Sequence, residues 1–232
     1  MSITNTSKPT TSIGNSSKVS VGETWASIDS TWFDEERTWL VCSQLIGNTS
    51  KPQRGLFVTK SVGTATNTDG GGGTGTDPWL NPTNALAQDG TYTACTLSSN
   101  LDNSDYLDLT NFGFEIPSTA TILGIKVEYD VYASATGVRE DMIRLIKGGT
   151  AQGTNKSDEE DWPLALRTER KGSSGDLWGS TFTPAEINAT DFGVRFQILR
   201  VSSTSGRTGY LDNARITVYY DDVQTFTNQA KP

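Results

Sequence analysis

The chain has 232 residues and a formal net charge of -8, and it contains no His. The missing His excludes histidine triads, histidine metal sites and the commonest general base. The negative charge disfavours contact with phosphate backbones, so we expect no nucleic-acid partner. No stretch approaches the roughly 20 apolar residues that span a bilayer, and the first residues lack the apolar core of a secretory signal. We therefore expect no membrane partner and synthesis in a cytosol.

Composition divides the chain into four parts. Residues 1–60 form a polar, repetitive N-terminal arm, and residues 61–78 form a Gly-rich linker. Residues 79–222 have the pattern of a compact β domain, and residues 223–232 form a short polar tail. The abundance of Thr, Ser, Asn and Gly favours strands and turns over helices. The sequence therefore predicts an all-β protein with an extended N-terminal arm.

The arm contains an imperfect repeat in which an apolar residue is followed by small polar residues and Ser-Lys. Its copies are ITNTSKPTTS, IGNSSKVSVG and IGNTSKPQRG, and they begin at Ile3, Ile13 and Ile46. Prolines in two copies favour extended backbone before them. One interpretation is an arm whose repeats occupy similar grooves on a partner. The alternative is a disordered polar tail.

Three tryptophans lie between the repeats at a spacing of seven residues. They are Trp25, Trp32 and Trp39, and each follows a Thr. Seven residues are about two helical turns, so a helix would place all three on one face. The high Thr and Trp content disfavours a helix, so an irregular docking segment is the other interpretation. The three rings need a surface to bury against, either this protein's own β domain or a partner subunit.

The β domain shows strand patterns separated by turn residues. In residues 121–135, Ile125, Val127, Tyr129 and Val131 alternate with polar residues, which predicts a half-buried antiparallel strand. Further strands are predicted at 92–99, 105–117, 142–149, 192–203 and 210–220. One helical turn is predicted at 183–188, with Thr183 as N-cap and Pro184 at N1. Together these elements predict an antiparallel β-sandwich.

Polar clusters in the chain indicate no active site and no cofactor. Four oxygen-bearing side chains that could suit calcium are better explained as a solvated turn, and they are Asp102, Asn103, Asp105 and Asp108. The acidic run at 157–163 is interpreted as a charged loop. No motif identifies the paired carboxylates of a glycosidase. Cys42 and Cys95 fit no disulfide framework, and we predict free thiols. No catalytic, cofactor-binding or metal residue is therefore assigned, and we expect the protein not to be an enzyme.

Aromatic residues near turns are candidates for stacking on sugar rings. Trp162, Trp178 and Tyr210 are the predicted glycan-stacking residues, and Trp79 has a similar position. Exposed aromatics on a β-sandwich are a common means of carbohydrate binding. The alternative is that these rings close the ends of the core.

Several segments resemble structural proteins of tailed-bacteriophage virions. The pattern of FGFEIPSTATILGIKVEYDVYA at 112–133 resembles jelly-roll modules on phage particles, and 79–95, 175–198 and 211–220 fit the same module. The segments SITNTSKPTTS and GETWASIDSTW resemble the N-termini of such proteins. The resemblance implies a structural or binding role and transfers no active-site residue.

The expectation that follows is a virion protein attached by its arm and displaying the sandwich outward. A capsid decoration or head-fibre protein is favoured over a tail or baseplate component. Its partners would be other virion proteins and further copies of itself, as in a trimer. The partner-binding residues of the arm would be Ile3, Ile13, Trp25, Trp32, Trp39 and Ile46. The alternative function is a carbohydrate-binding module for attachment to a host surface.

Overall fold

A computed structural model describes residues 53–69, 77–202 and 206–222 of the chain. These residues contain ten strands, a 3-10 helix at Pro82–Leu86 and one short α-helix, α1, at Pro184–Asn188. The strands in chain order are β1 Gln53–Ser61, β2 Thr64–Thr68, β3 Thr93–Leu97, β4 Tyr106–Thr110, β5 Thr121–Ala133, β6 Val138–Lys147, β7 Thr150–Gln152, β8 Arg167–Gly172, β9 Gly193–Arg200 and β10 Arg207–Asp222. No helix in the described part of the chain has the length and hydropathy to cross a membrane.

The strands form two five-stranded antiparallel sheets, which confirms the predicted fold class. In the first sheet the order is β1-β10-β5-β8, and β3 also pairs with β10. β1 pairs with the C-terminal half of β10, and β3 pairs with its N-terminal half. In the second sheet the order is β2-β4-β9-β6-β7. The two sheets pack face to face as a β-sandwich.

The core lies between the sheets and follows from period-two alternation of apolar residues. Ile125, Val127, Tyr129 and Val131 on β5 are all fully buried, as the sequence predicts. Leu107 and Leu109 on β4 and Val194, Phe196 and Ile198 on β9 face them from the second sheet. The side away from this core is called the outer face of each sheet. Outer-face residues alternate with the core residues along each strand.

The predicted helical turn is confirmed together with its cap. Thr183 has extended backbone geometry, and its side chain accepts a hydrogen bond from the backbone N–H of Glu186. The Glu186 carboxylate accepts in return from the Thr183 backbone N–H at 2.8 Å, which completes a capping box. Pro184 begins the helix, and Ile187 anchors it in the core with 1% exposure.

The sandwich begins earlier than the sequence indicates. β1 starts at Gln53, inside the residues assigned to the arm, and β2 lies at 64–68, inside the predicted linker. The outer face of β2 carries only Thr, and that of β1 carries Thr59 and Ser61 beside the exposed Phe57, so most of their exposed residues are those of a polar segment. Their backbones nevertheless pair with β10 and β4, and Val62 and Ala65 are buried. The residues of the predicted arm before Gln53 lie outside the described part of the chain.

The structure differs from the predicted strands in two further places. Residues 111–117 form no strand, although Phe112, Phe114 and Ile116 are buried in the core. β8, with the sequence RTERKG, is a strand that lacks any apolar alternation. It pairs with β5 at the edge of the first sheet, where a polar strand is stable without a buried face.

Candidate functional site

Two of the three predicted glycan-stacking residues lie in the core. Trp178 is fully buried, and its indole Nε1 donates to the Ile125 carbonyl at 2.9 Å. Trp162 is 3% exposed, and Trp79 is also buried, with its Nε1 donating to the Asp105 carbonyl at 3.0 Å. The structure therefore corrects the prediction for Trp162 and Trp178, because rings buried in this way cannot stack on a sugar. They belong to the hydrophobic core instead.

Tyr210 lies on the outer face of the first sheet, in a cluster of three tyrosines. It is the register partner of Tyr132 on β5, and the two rings stack with centroids 4.4 Å apart and planes 7° apart. Tyr92, which precedes β3, packs its ring edge-on with centroids 5.0 Å from Tyr132 and 6.1 Å from Tyr210. All three side chains are half-buried. We call these three residues the tyrosine cluster.

The sheet register places the tyrosine cluster, and the sequence alone does not give this register. Tyr132 alternates with the buried Val131 and Ala133 on β5, so it has to point outward. Tyr210 faces outward next to the buried Leu211. The pairing of β10 with both β5 and β3 then brings Tyr92 beside them. Alternation could have found Tyr132, but only the strand pairing shows the three rings together.

Two buried carboxylates lie on the same face, next to the cluster along β5 and β10. A bulge in β10 between Leu211 and Ala214 gives this strand one extra residue opposite Asp130 of β5. Asp130 is 2% exposed and accepts a hydrogen bond from the Thr168 hydroxyl. Its Oδ2 lies 3.7 Å from Nη2 of Arg215 and has no hydrogen-bond partner. The charge of Asp130 thus holds a guanidinium beside the cluster.

Asp212 is the second of these carboxylates, and it ties the segment before Tyr92 to the sheet. Its Oδ1 accepts from the backbone N–H of Asp89 at 3.4 Å. Burial raises the pKa of Asp212, and the neighbouring charges of Asp89 and Asp130 raise it further, against the backbone N–H groups of Asp89 and Gly90. The segment that carries Tyr92 is therefore fastened by hydrogen bonds to β10.

The outer face of the first sheet carries further polar groups along β5, β8 and β10. Arg215 donates to Oε1 of Gln88 at 3.2 Å, and Glu128 accepts from Arg170 at 2.9 Å. Lys126 lies 3.0 Å from the same Glu128 carboxylate. Hydrogen-bond donors and acceptors thus lie on the same sheet face as the three aromatic rings. Such a combination can bind a ligand that has apolar C–H faces and polar hydroxyl edges.

A second candidate is a small acidic cleft of about 30 Å³ lined by residues of β6, of β8 and of the segment before β8. Its lining residues are Glu140, Asp158, Glu160, Asp161, Trp162, Arg167 and Glu169. Burial raises the pKa of Glu140, against its hydrogen bonds to Lys171 and Tyr129. One oxygen of Glu140 accepts from the Tyr129 hydroxyl, and the other lies 2.7 Å from Lys171 Nζ. Both oxygens are thus occupied, which indicates a structural network between the sheets and not a general acid.

The oxygen-bearing side chains at 102–108 do not converge on one point, and each contacts a different partner. Asp108 forms two hydrogen bonds with Arg195, at 2.6 and 2.7 Å, while Asn103 donates to Asp141 at 2.7 Å. Asp105 accepts from Asn67 at 2.7 Å, and Asp102 accepts from the Ser99 backbone at 3.3 Å. In the described ranges, no group of three or more carboxylates or thiols could hold a metal ion.

The other predicted sites fall partly outside the described residues. The arm residues Ile3, Ile13, Trp25, Trp32, Trp39 and Ile46 lie there, as does Cys42. Cys95 is described and is a buried free thiol, which agrees with the prediction for this residue. Burial raises the pKa of its thiol, and the charge of Asp77 adds to this effect. A protonated, buried thiol is unreactive.

Comparison with known proteins gives similar folds at low similarity. No protein-family model and no curated protein matches the sequence. Among solved structures, a CBM4 structure is 14% identical with a TM-score of 0.36, over 69% of this chain and 92% of that one. A family 11 carbohydrate-binding module from Clostridium thermocellum, in complex with a β-1,3-1,4-mixed-linked tetrasaccharide, is 9% identical with a TM-score of 0.34, over 72% and 96%.

A phage protein is also among the similar structures. A chain of the cyanophage Pam1 capsid is 14% identical with a TM-score of 0.26, over 72% of this chain and 86% of that one. Identities and TM-scores this low carry no information on ligands or partners. A function therefore has to be argued from the residues of this chain.

Proposed function

We propose that the protein is a carbohydrate-binding protein whose ligand binds at the tyrosine cluster. The observation that carries this proposal is the juxtaposition of Tyr92, Tyr132 and Tyr210 on the outer face of the first sheet. Three rings at one point of an outer face have no role in the core between the sheets. Their clustering therefore supports a role in recognition.

The physical basis is the match between the cluster and a sugar ring. A pyranose has C–H groups on its faces and hydroxyl groups around its edge. Tyrosine offers a large apolar ring with a hydroxyl tip, which suits such an amphipathic ligand. Gln88 and Arg215, which hydrogen-bond to each other at 3.2 Å, offer an acceptor and donors on the segment before Tyr92 and on β10. The cluster is also fastened in place, which lowers the cost of ordering it on binding.

The arrangement supports binding without catalysis. The two carboxylates beside the cluster, Asp130 and Asp212, are 2% and 1% exposed, so a glycosidic bond cannot reach them as it would reach an acid and a base. The carboxylate in the acidic cleft with a raised pKa, Glu140, has both oxygens in hydrogen bonds. We therefore infer a binding protein, with no catalytic residue assigned.

The experiment that tests this function is a glycan array with matched variants. The wild-type protein is expected to bind a defined set of oligosaccharides saturably. Tyr210→Ala removes the ring that stacks on Tyr132 and should weaken binding roughly tenfold, or about 1.4 kcal/mol. Tyr219→Ala is the control, because Tyr219 lies on the same strand and face but contacts Phe57, with centroids 5.9 Å apart. A negative array, or equal losses in the two variants, would overturn the proposal.

Attachment to a phage particle stays a proposal that depends on the arm. It is compatible with sugar binding, since a displayed host-attachment protein can recognise surface glycans. Its support is the resemblance in sequence and the repeated apolar residues before position 53. Particle reconstitution with and without residues 1–52 tests it, and undiminished occupancy of the truncated protein would contradict an anchoring role.

A further inference from the structure

Arg144 lies on the outer face of the second sheet and has no hydrogen-bond or ion-pair partner among the described residues. It alternates with the fully buried Ile143 and Leu145 on β6 and therefore points away from the core. Its Nε is buried and makes no hydrogen bond. No ion pair joins it to any described carboxylate. The other arginines with described side chains all form a hydrogen bond or an ion pair, and they are Arg139, Arg167, Arg170, Arg195, Arg200, Arg207 and Arg215.

A second arginine lies directly across from Arg144. Arg195 on β9 is its register partner. Arg195 uses Nε and Nη2 for its two hydrogen bonds to Asp108, and its guanidinium lies 4.5 Å from the centroid of the Tyr106 ring. Asp108 balances the charge of Arg195, so the positive charge of Arg144 is the one left uncompensated at this point.

The surface at this point is recessed. The side chain of Arg195 is only 16% exposed and that of Asp108 only 13%. Ile146, two residues from Arg144 on the same strand face, is 1% exposed. This recess explains how Nε of Arg144 is withdrawn from water although its side chain lies on an outer face.

This arrangement costs stability in the absence of a ligand. Like charges directly opposite each other on neighbouring strands repel. A buried N–H donor without an acceptor loses its hydration and gains nothing in return. Both costs are removed by one kind of group, an anion with oxygen acceptors. The planar fork of a guanidinium fits carboxylate, sulfate and phosphate groups.

We propose that Arg144, with Arg195 beside it, binds an oxyanion on the outer face of the second sheet. The ligand is a carboxylate, sulfate or phosphate group, either free in solution or carried by an acidic saccharide. Because the protein carries a net charge of -8, its overall field opposes anions and the site has to act at short range. Contacts of recessed groups at hydrogen-bond distance are screened less than exposed charges, so binding should depend only weakly on ionic strength. The site is separate from the tyrosine cluster, which lies on the other sheet.

Thermal unfolding in matched salts tests the proposal. Sodium sulfate, sodium phosphate and sodium acetate are each compared with sodium chloride at equal ionic strength. The wild-type Tm should rise with at least one oxyanion, whereas that of Arg144→Gln should not. In chloride alone, Arg144→Gln should be as stable as wild type or more stable, because the repulsion is gone. Arg170→Gln is the control, since this exposed arginine pairs with Glu128 on the first sheet.

Two further measurements keep the test decisive. The Nε–H resonance of Arg144 in wild-type protein should shift saturably with the effective anion, whatever the stability of the variants. Arg144→Lys, which keeps the charge but loses the fork, should bind about tenfold more weakly. Titration with a glucuronate-containing oligosaccharide distinguishes a free anion from an acidic saccharide as the ligand. Tighter binding of the oligosaccharide than of acetate indicates an acidic saccharide. Equal binding of the two indicates a free anion. Equal Tm shifts in wild type and Arg144→Gln, with no shift of the Nε–H resonance, would overturn the site.

Discussion

Tyr129 shows how a single buried side chain joins the two sheets. It points inward from β5, is fully buried, and donates its hydroxyl to Glu140 on β6. Glu140 in turn lies 2.7 Å from Lys171 on β8. A buried carboxylate is expensive unless its oxygens are paired, and here both are. The network therefore stabilises one pairing of the sheets and would be costly to break at any member.

This network predicts a loss of stability in alkali. Burial raises the pKa of Tyr129, and the charge of Glu140 raises it further. Burial alone would lower the pKa of Lys171, but its bonds to Asp158 and Glu140 outweigh that effect and raise it. Both groups hold their protons more tightly in the folded state. Their contribution is complete below about pH 10 and is lost as pH rises through the folded pKa values.

The variant Tyr129→Phe tests this prediction. Urea unfolding between pH 8 and 11 should show a smaller decline for the variant, by up to about 1.4 kcal/mol per pH unit for one titrating group. At neutral pH the variant should be less stable by about 1–3 kcal/mol, since Glu140 loses a donor. Tyr219→Phe, on the outer face, is the control. Parallel pH profiles for wild type and Tyr129→Phe would contradict the argument.

At the level of elements, the sequence predicts those whose apolar pattern agrees with their burial. β5 is the clearest case, since its alternation defines both its conformation and its buried face. β8 could not be found, because its six residues are polar on both faces and only pairing with β5 orders them. The sequence also does not predict the bulge between Leu211 and Ala214 or the burial of Asp212 within it. Register depends on long-range pairing, which a local pattern does not encode.

The glycan-stacking residues predicted from the sequence also differ from those that the structure brings together. Trp162 and Trp178 lie outside the strands, as the sequence predicts. Their position in the sequence does not show that both rings are buried. Trp178 has a left-handed backbone with φ of 57°, which turns its ring under β5. Tyr210 was found as a candidate, but its neighbours Tyr92 and Tyr132 were missed, because they are 118 and 78 residues away along the chain.

The helix cap gives a prediction at the level of one element. Thr183→Ala removes the hydroxyl that accepts from the Glu186 N–H. This hydrogen bond is one of the two that form the capping box. We expect a loss of about 1 kcal/mol in the free energy of unfolding, measured by urea titration. Thr181→Ala is the control, since Thr181 is exposed and contributes only its backbone carbonyl to Lys147. A loss of similar size in both variants would show that the cap itself contributes nothing.

For the whole molecule, the position of β1 and β2 sets the minimal folding unit. The residues 52–223 form one compact unit that includes both strands. Without β1, the C-terminal half of β10 loses its partner on one side and becomes a sheet edge, and without β2, β4 becomes an edge strand. Unpaired strand edges expose backbone groups and promote aggregation.

Two fragments test this boundary. The fragment 53–222 should be soluble and unfold cooperatively, whereas the fragment 79–222 should be strongly destabilised or aggregate. Circular dichroism and size-exclusion chromatography distinguish the outcomes. If the fragment 79–222 melts at the same temperature as 53–222, β1 and β2 are dispensable for folding. The β domain would then begin near residue 79, as the sequence predicts.

The central claim is that a sugar binds at the tyrosine cluster, and residue-resolved NMR with a bound oligosaccharide tests it most directly. The expected result is saturable chemical-shift changes at Tyr92, Tyr132 and Tyr210 and in the adjoining segment 88–90. The Tyr219 resonances on the same sheet face should stay unchanged. Shifts confined to the acidic cleft or to the outer face of the second sheet, or no shifts with any oligosaccharide, would contradict the account.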